Sequence, residues 1–196
     1  MVGYVECNKM SITPVKRLIL ETMWIADKPA KAADIAKETR VNFPSVMMHI
    51  IGLTRMGYVA TLEKGYYAIT ENGKKTLGLP EITPEKAGEI LAYLPVEKSF
   101  HFYADIGKPL DIHAASLQDF SEKMEKTDPS SLEFHINRGD FEAWITELGD
   151  TGLARKMLLI REQKMTGERL RKKLYEIVKN RCEELAGIRK QAVPSG

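Results

Sequence analysis

The chain has 196 residues, enough for one large domain or two ordinary ones, since domains cluster near roughly 100 to 150 residues. Its 43% hydrophobic and 29% charged composition is that of a globular protein, too apolar for wholesale disorder and without the run of about 20 apolar residues that a bilayer demands. The net charge of +2 divides into three blocks: residues 1–80 carry 11 Lys and Arg against 7 Asp and Glu, residues 81–160 carry 8 against 15, and residues 161–196 carry 10 against 5. Cys7 and Cys182 stand alone without CxxC spacing, which argues against a disulfide framework or a zinc site. No charged start leads into an apolar stretch and a small-residue cleavage site, so a cytoplasmic protein is expected.

Thr13-Pro14 makes a helix start, with Thr as N-cap and Pro at the first helical position, and Val15, Leu18, Ile19, Thr22 and Ile25 follow at helical spacing. Lys28-Pro29 breaks that helix. Ala30 to Thr39 is expected as a second, Ala-rich helix with Ala33, Ile35 and Ala36 on one side. Arg40-Val41-Asn42 supplies a turn, and Phe43-Pro44-Ser45 opens a third helix in which Val46, Ile50 and Leu53 lie at i, i+4 and i+7. Gly57 sits where a terminating glycine belongs. Tyr58–Leu62 and Tyr66–Ile69 are two β-prone runs around Glu63-Lys64-Gly65, which predicts a hairpin. A closing helix over Thr70–Leu77 precedes Gly78 and Pro80.

Three helices followed by a hairpin is the order of a winged helix-turn-helix. The stretch ADIAKETRVNFPSVMMHIIGLTRMGYVATLEKGYYAITENGKKTL resembles the winged-helix domains of archaeal and bacterial transcription regulators, including the MarR-like group. The resemblance implies that Pro44 to Met56 is a recognition helix and Leu62 to Tyr66 the tip of a wing. On that basis Asn42, Ser45, Met48 and His49 would meet base edges in a major groove, while Lys31, Lys37, Arg40, Arg55 and Lys64 would meet phosphate. Met47 and Met48 depart from the Ser, Arg or Gln of many DNA-reading relatives. They bring no hydrogen bonds, only thymine-methyl packing or burial against the second helix or a partner.

Residues 81–98 read as a helical connector: Thr83 caps, Pro84 takes the first position, and Ala87, Ile90, Leu91 and Leu94 form a stripe up to Pro95. Phe100–Tyr103 alternates weakly as an extended segment, and the stretch to Ala115 is loop-like. From Ser116 five helices are expected. Ser116 starts the first, with Leu117, Phe120 and Met124; Asp128-Pro129 starts the second. Gly139 ends it and Asp140 caps the third, with Phe141, Trp144, Ile145 and Leu148. Gly149-Asp150 does the same for the fourth, and Thr166 opens a longer last helix to about Ala186.

The segment SLQDFSEKMEKTDPSSLEFHINRGDFEAWITELGDTGLARKM resembles a helical domain family of unknown function in archaea and bacteria. The matching positions are Ser116, Leu117, Ser131, Leu132, Phe134, His135, Arg138, Asp140, Phe141, Trp144, Leu153 and Ala154. The resemblance imports no activity and suggests an accessory or signal-receiving module. Arg138-Gly139-Asp140 spells an adhesion tripeptide, but a helix stop and an N-cap account for Gly and Asp, which leaves Arg138 over. His101, His113 and His135 with Asp105, Glu133 and Glu142 offer ligand types, yet none shows the spacing that zinc chemistry favours. No GxSxG, phosphate loop or Cys-His pairing is present.

Arg169, Arg171, Lys172, Lys173, Lys179 and Arg181 of the last helix surround an apolar line of Leu170, Leu174, Ile177 or Val178, Cys182 and Leu185. That line serves either a core or a dimer, and the basic face is either solvated or placed on phosphate. Together these readings describe a mainly α protein with a small β-hairpin wing: a winged helix-turn-helix over 1–80, a connector over 81–98 and a helical module over 99–196. The expectation is a DNA-binding transcriptional regulator, not an enzyme, with no cofactor, metal or membrane. Its partners would be double-stranded DNA, a second copy, and for the helical module a protein or a small-molecule effector. The alternative is a protein-interaction adaptor whose winged helix never meets DNA.

Overall fold

The structure, a computed structural model, describes residues 12–190; Cys7 lies outside them. Helix predominates, with two small antiparallel sheets, and the chain divides into two compact units, Met1–Gly78 and Leu79–Gly196.

In the first unit, α1 (Pro14–Ala26) begins where Thr13 accepts a hydrogen bond from the Lys16 amide and ends at Asp27 in the left-handed region. Its buried face is Ile19, Leu20, Met23, Trp24 and Ile25. The expected Leu18 is instead exposed, because the helix buries neighbouring i, i+1 and i+4, i+5 positions rather than a single row. A two-residue strand β1 (Ala30–Lys31) precedes α2 (Ala32–Thr39), which buries Ala32 and Ile35 and leaves Ala33 exposed. The strand is too short for any periodicity to announce it. α3 (Phe43–Arg55) is capped by Asn42 and buries Val46, Ile50 and Leu53, the row its spacing predicts.

Gly57 turns the chain at φ 73°, and β2 (Val59–Thr61) pairs antiparallel with β3 (Tyr66–Ile69) in the register Val59 to Ile69 and Thr61 to Tyr67. β1 adds to the other side of β3, giving the order β1-β3-β2. α4 (Glu71–Thr76) is locked on by Thr70, whose hydroxyl donates to the Gly57 carbonyl at 2.7 Å and accepts from the Gly73 amide at 3.1 Å. Gly73 is needed there: a Cβ would stand 2.3 Å from the Tyr58 carbonyl oxygen.

In the second unit, α5 (Pro84–Ile90) is shorter than its apolar stripe and packs along the last helix, so residues 79–98 fold with this unit. Beyond it, the Leu94 amide bonds the Ala115 carbonyl at 2.7 Å. β4 (Phe100–Asp105) turns at Gly107 into β5 (Lys108–Ala114). The loop expected up to Ala115 is thus a strand, hidden in the sequence by Pro109 and by an irregular register after His101.

Five helices follow: α6 (Leu117–Lys126), α7 (Pro129–Arg138), α8 (Asp140–Glu147), α9 (Thr151–Glu162) and α10 (Gly167–Lys190). Ser116, Asp128 and Asp150 accept from backbone amides as caps. Asp140 does not cap α8: Gly139 occupies that position at φ 79°, and the Asp140 carboxylate turns back toward α7. The core stacks Phe100, Phe102, Phe120, Phe141 and Trp144 against one another, with centroids 4.8–5.8 Å apart. α10 closes it with Leu170, Leu174, Ile177, Val178, Cys182 and Leu185, all buried.

Candidate functional site

Most of the sequence-predicted phosphate contacts stand out into solvent. Lys37 lies in the last turn of α2, Arg40 directly after it and Arg55 in the last turn of α3; all three are exposed and make no ion pair or side-chain hydrogen bond among the described residues. Arg40 holds φ 56°, a left-handed conformation that glycine or asparagine adopts more easily. A cation is therefore kept at the α2–α3 turn at some conformational cost. Lys31 is also exposed, but its ammonium stands 5.2 Å from the centre of the Tyr66 ring, its cross-strand partner. Lys64 belongs to the single 3-10 turn Glu63–Gly65 at the hairpin tip, and its side chain lies outside the described residues.

The base-edge candidates divide. Asn42 is exposed, yet its carboxamide oxygen caps α3 by accepting the Ser45 amide at 2.9 Å, so only its NH2 group is left for another partner. Ser45 and His49 are half-buried. Met48 is 62% exposed, and so are its neighbours Phe43 at 51% and Ile51 at 46%. Met48 and Ile51, three residues apart, share the outward face of α3. Ile51 was missed in the sequence; its signal was an apolar residue lying outside the Val46, Ile50, Leu53 row.

In the second unit Ser131 and His135 serve β4, and Trp144 serves the turn just before it. Ser131 donates to the Tyr103 carbonyl at 2.7 Å, the Tyr103 amide donates to His135 Nε2 at 2.8 Å, and Trp144 Nε1 donates to the Lys98 carbonyl at 2.9 Å. Since β5 covers the other side of β4, helix side chains here satisfy backbone groups that a third strand would otherwise satisfy. His135 is buried, and burial pushes it below its ordinary pKa against the pull of the Asp140 carboxylate beside it. It is therefore the neutral tautomer with its proton on Nδ1, donating to Asp140 at 2.8 Å. A histidine on a carboxylate has the look of a general base, but the lone pair that would take a proton already receives the Tyr103 amide.

Asp140 also accepts from Arg138 Nε at 3.1 Å, and the Arg138 guanidinium lies 5.0 Å from the centre of the Phe134 ring. The residue left over by the tripeptide thus sits half-exposed beside a carboxylate and an aromatic face. His101 and His113 stack across β4 and β5 with centroids 5.6 Å apart, and among the described residues no three His, Cys, Asp or Glu groups are arranged to hold a metal ion.

The basic residues of α10 divide: Arg169, Lys172, Arg189 and Lys190 are exposed with no partner among the described residues, and others are engaged. Arg181 grips the buried Asp150 with Nε at 2.6 Å and Nη2 at 3.1 Å, and Glu184 with Nη1 at 2.7 Å. Burial works against its charge, but the bonds to Asp150 outweigh that and hold its pKa above the ordinary value. Arg171 bonds Glu168 and the Glu125 carbonyl, and Lys179 lies over Tyr175. Burial pushes the Cys182 thiol up to about 12, so it packs as an inert apolar group. Among the described residues no helix is long and apolar enough to cross a membrane. No family model matches the chain, and no curated protein or solved structure matches it either.

Proposed function

We propose that the first unit is a winged helix-turn-helix that binds double-stranded DNA, and that the protein acts as a transcription regulator. α2 and α3 form the helix-turn-helix, α3 enters the major groove, and the β2–β3 hairpin is the wing. The observation that carries this reading is the set of exposed cations around α2 and α3, Lys37, Arg40 and Arg55, which have no partner among the described residues. Such residues neutralise phosphates and release counterions, giving affinity that falls steeply with salt. Base discrimination then rests on few groups: the Asn42 amide, Ser45, His49 and methyl contacts from Met48. The binding expected is modestly sequence-selective.

The test is binding of the whole chain to duplex DNA at several salt concentrations. Arg40→Glu and Arg55→Glu are each expected to weaken binding across all sequences and to flatten the log–log salt slope by about 0.9 for each phosphate that is no longer neutralised. Arg169→Glu with Lys172→Glu, on α10, is expected to leave it unchanged. Salt-sensitive binding abolished only in the α10 variant would move the interface to the second unit.

The adaptor reading is favoured by one observation, the exposed Phe43, Met48 and Ile51. An absence of DNA binding at low salt would decide for it. In the DNA reading two copies present their α3 helices to successive major grooves. Because the apolar line of α10 is buried within its own unit, that pairing has to use another face. Light scattering that finds a monomer at high micromolar concentration, with and without DNA, ends the dimer.

A further inference from the structure

A cleft of about 350 Å³ opens in the second unit beside β4, the Gly107 turn and the last turn of α7, with Phe100, Tyr103, Ile106, Phe134 and Arg138 among its walls. Its size lies within the range of small-ligand sites. We propose that it binds a small organic monocarboxylate with a flat apolar body, the carboxylate resting on Arg138.

Three observations converge on that class. Arg138 is half-exposed, yet it is held in place: Nε is bonded to Asp140, and the guanidinium faces the Phe134 ring at 5.0 Å. Its Nη1 and Nη2 make no hydrogen bond among the described residues. A planar fork of donors fixed in this way suits a carboxylate better than a point charge would.

The charge around the cleft then limits the ligand. Asp105 is paired with Lys108 at 3.3 Å, and Asp140 is shared between Arg138 and His135. Both carboxylates are engaged, so one further negative charge can settle on the free side of Arg138, but a dianion would meet two acids with a single cation that Asp140 already shares. The walls choose the rest of the molecule. Tyr103 and Phe134 present aromatic surface and Ile106, 76% exposed at the tip between the strands, presents a bare apolar rim. A flat hydrocarbon body gains from both.

The probe is 4-biphenylacetate, titrated into the ¹⁵N-labelled full chain and followed by amide and Arg Nε shifts, beside 4-biphenylacetamide, which keeps the body and lacks the charge. The shifts are expected to gather at Tyr103, Gly107 and Arg138. The amide is expected to bind about tenfold more weakly, the scale of one charge-assisted contact. Arg138→Gln should weaken the acid by a similar factor and leave the amide unchanged. Ile106→Glu, on the exposed rim, should weaken the acid with Arg138 intact, and it decides the matter if Arg138→Gln disturbs the fold. Equal binding of acid and amide, unchanged binding by both variants, shifts gathered elsewhere, or no shift up to about 10 mM acid would each overturn the assignment.

Discussion

In the first unit Lys37, Arg40 and Arg55 stand in solvent with no partner among the described residues, whereas the cations of α10 are split: Arg181, Arg171 and Lys179 are turned onto Asp150, Glu168 and Tyr175, and Arg169, Lys172, Arg189 and Lys190 stay exposed. By count the C-terminal block is the more basic, 10 Lys and Arg against 5 acids compared with 11 against 7 for residues 1–80. The difference teaches that a charge tally measures supply, while only geometry tells how much charge is still available to a phosphate. The same contrast holds for apolar residues. α10 buries its whole line, while α3 buries one row and shows another.

The sharpest way to break this contrast is at the ion pair inside the second unit. Asp150→Ala takes the buried carboxylate from the half-buried Arg181, leaving it only the exposed Glu184, and removes the cap that accepts the Leu153 amide. A loss of about 3–5 kcal/mol is expected. The chain's two tryptophans, Trp24 and Trp144, fall one in each unit. With Trp24→Phe as background, urea unfolding followed by Trp144 fluorescence reports the second unit. A change below about 1 kcal/mol would mean that the pair is not structural.

The first unit is tested at Gly73. In Gly73→Ala the new methyl group collides with the Tyr58 carbonyl, a backbone atom that cannot swing aside. The strain should exceed the roughly 1 kcal/mol that alanine returns as a better helix former. A net loss of about 2 kcal/mol is expected, read from Trp24 fluorescence with Trp144→Phe as background.

Arg40→Gly sharpens the comparison because it separates stability from binding. Glycine relieves the positive φ, so the first unit should gain a few tenths to about 1 kcal/mol, while DNA affinity falls as it does in Arg40→Glu. Affinity equal to that of the parent protein would remove Arg40 from the interface.

The smallest effect expected is one of pH. Because the folded pKa of His135 lies below its unfolded value near 6.5, the unfolded chain binds the proton more readily. The stability due to neutral His135 is therefore complete above about pH 6.5 and is lost as pH falls toward the folded pKa. The urea midpoint of the second unit should drop between pH 7.5 and 5.5, and His135→Gln should flatten that drop. An equal drop in both proteins would assign it to other groups.

Much of the local structure could be read from the residues. Thr13-Pro14, Thr83-Pro84, Ser116, Asp128 and Asp150 mark helix starts because a side-chain oxygen three or fewer residues away can satisfy an orphan amide, and the structure uses each of them so, whereas Asn42, read as a turn residue, turns out to cap α3. The Val46, Ile50, Leu53 row and the hairpin around Gly65 follow from period and turn chemistry. β1 and β5 were not legible, one being only two residues long and the other irregular. Of the candidate interface, the residue types were legible and their availability was not.

Sequence alone thus determined most of the helix starts and which block carries which charge, since those depend on neighbours within a few residues. Tertiary structure alone decided that Ser131 and His135 clasp β4 and Trp144 the turn before it, that Asp140 turns back to hold Arg138 rather than capping α8, and that Arg181 closes on the buried Asp150. Those pairings span up to 46 residues of chain. A side chain can reach so distant a partner only after the core has brought the elements together.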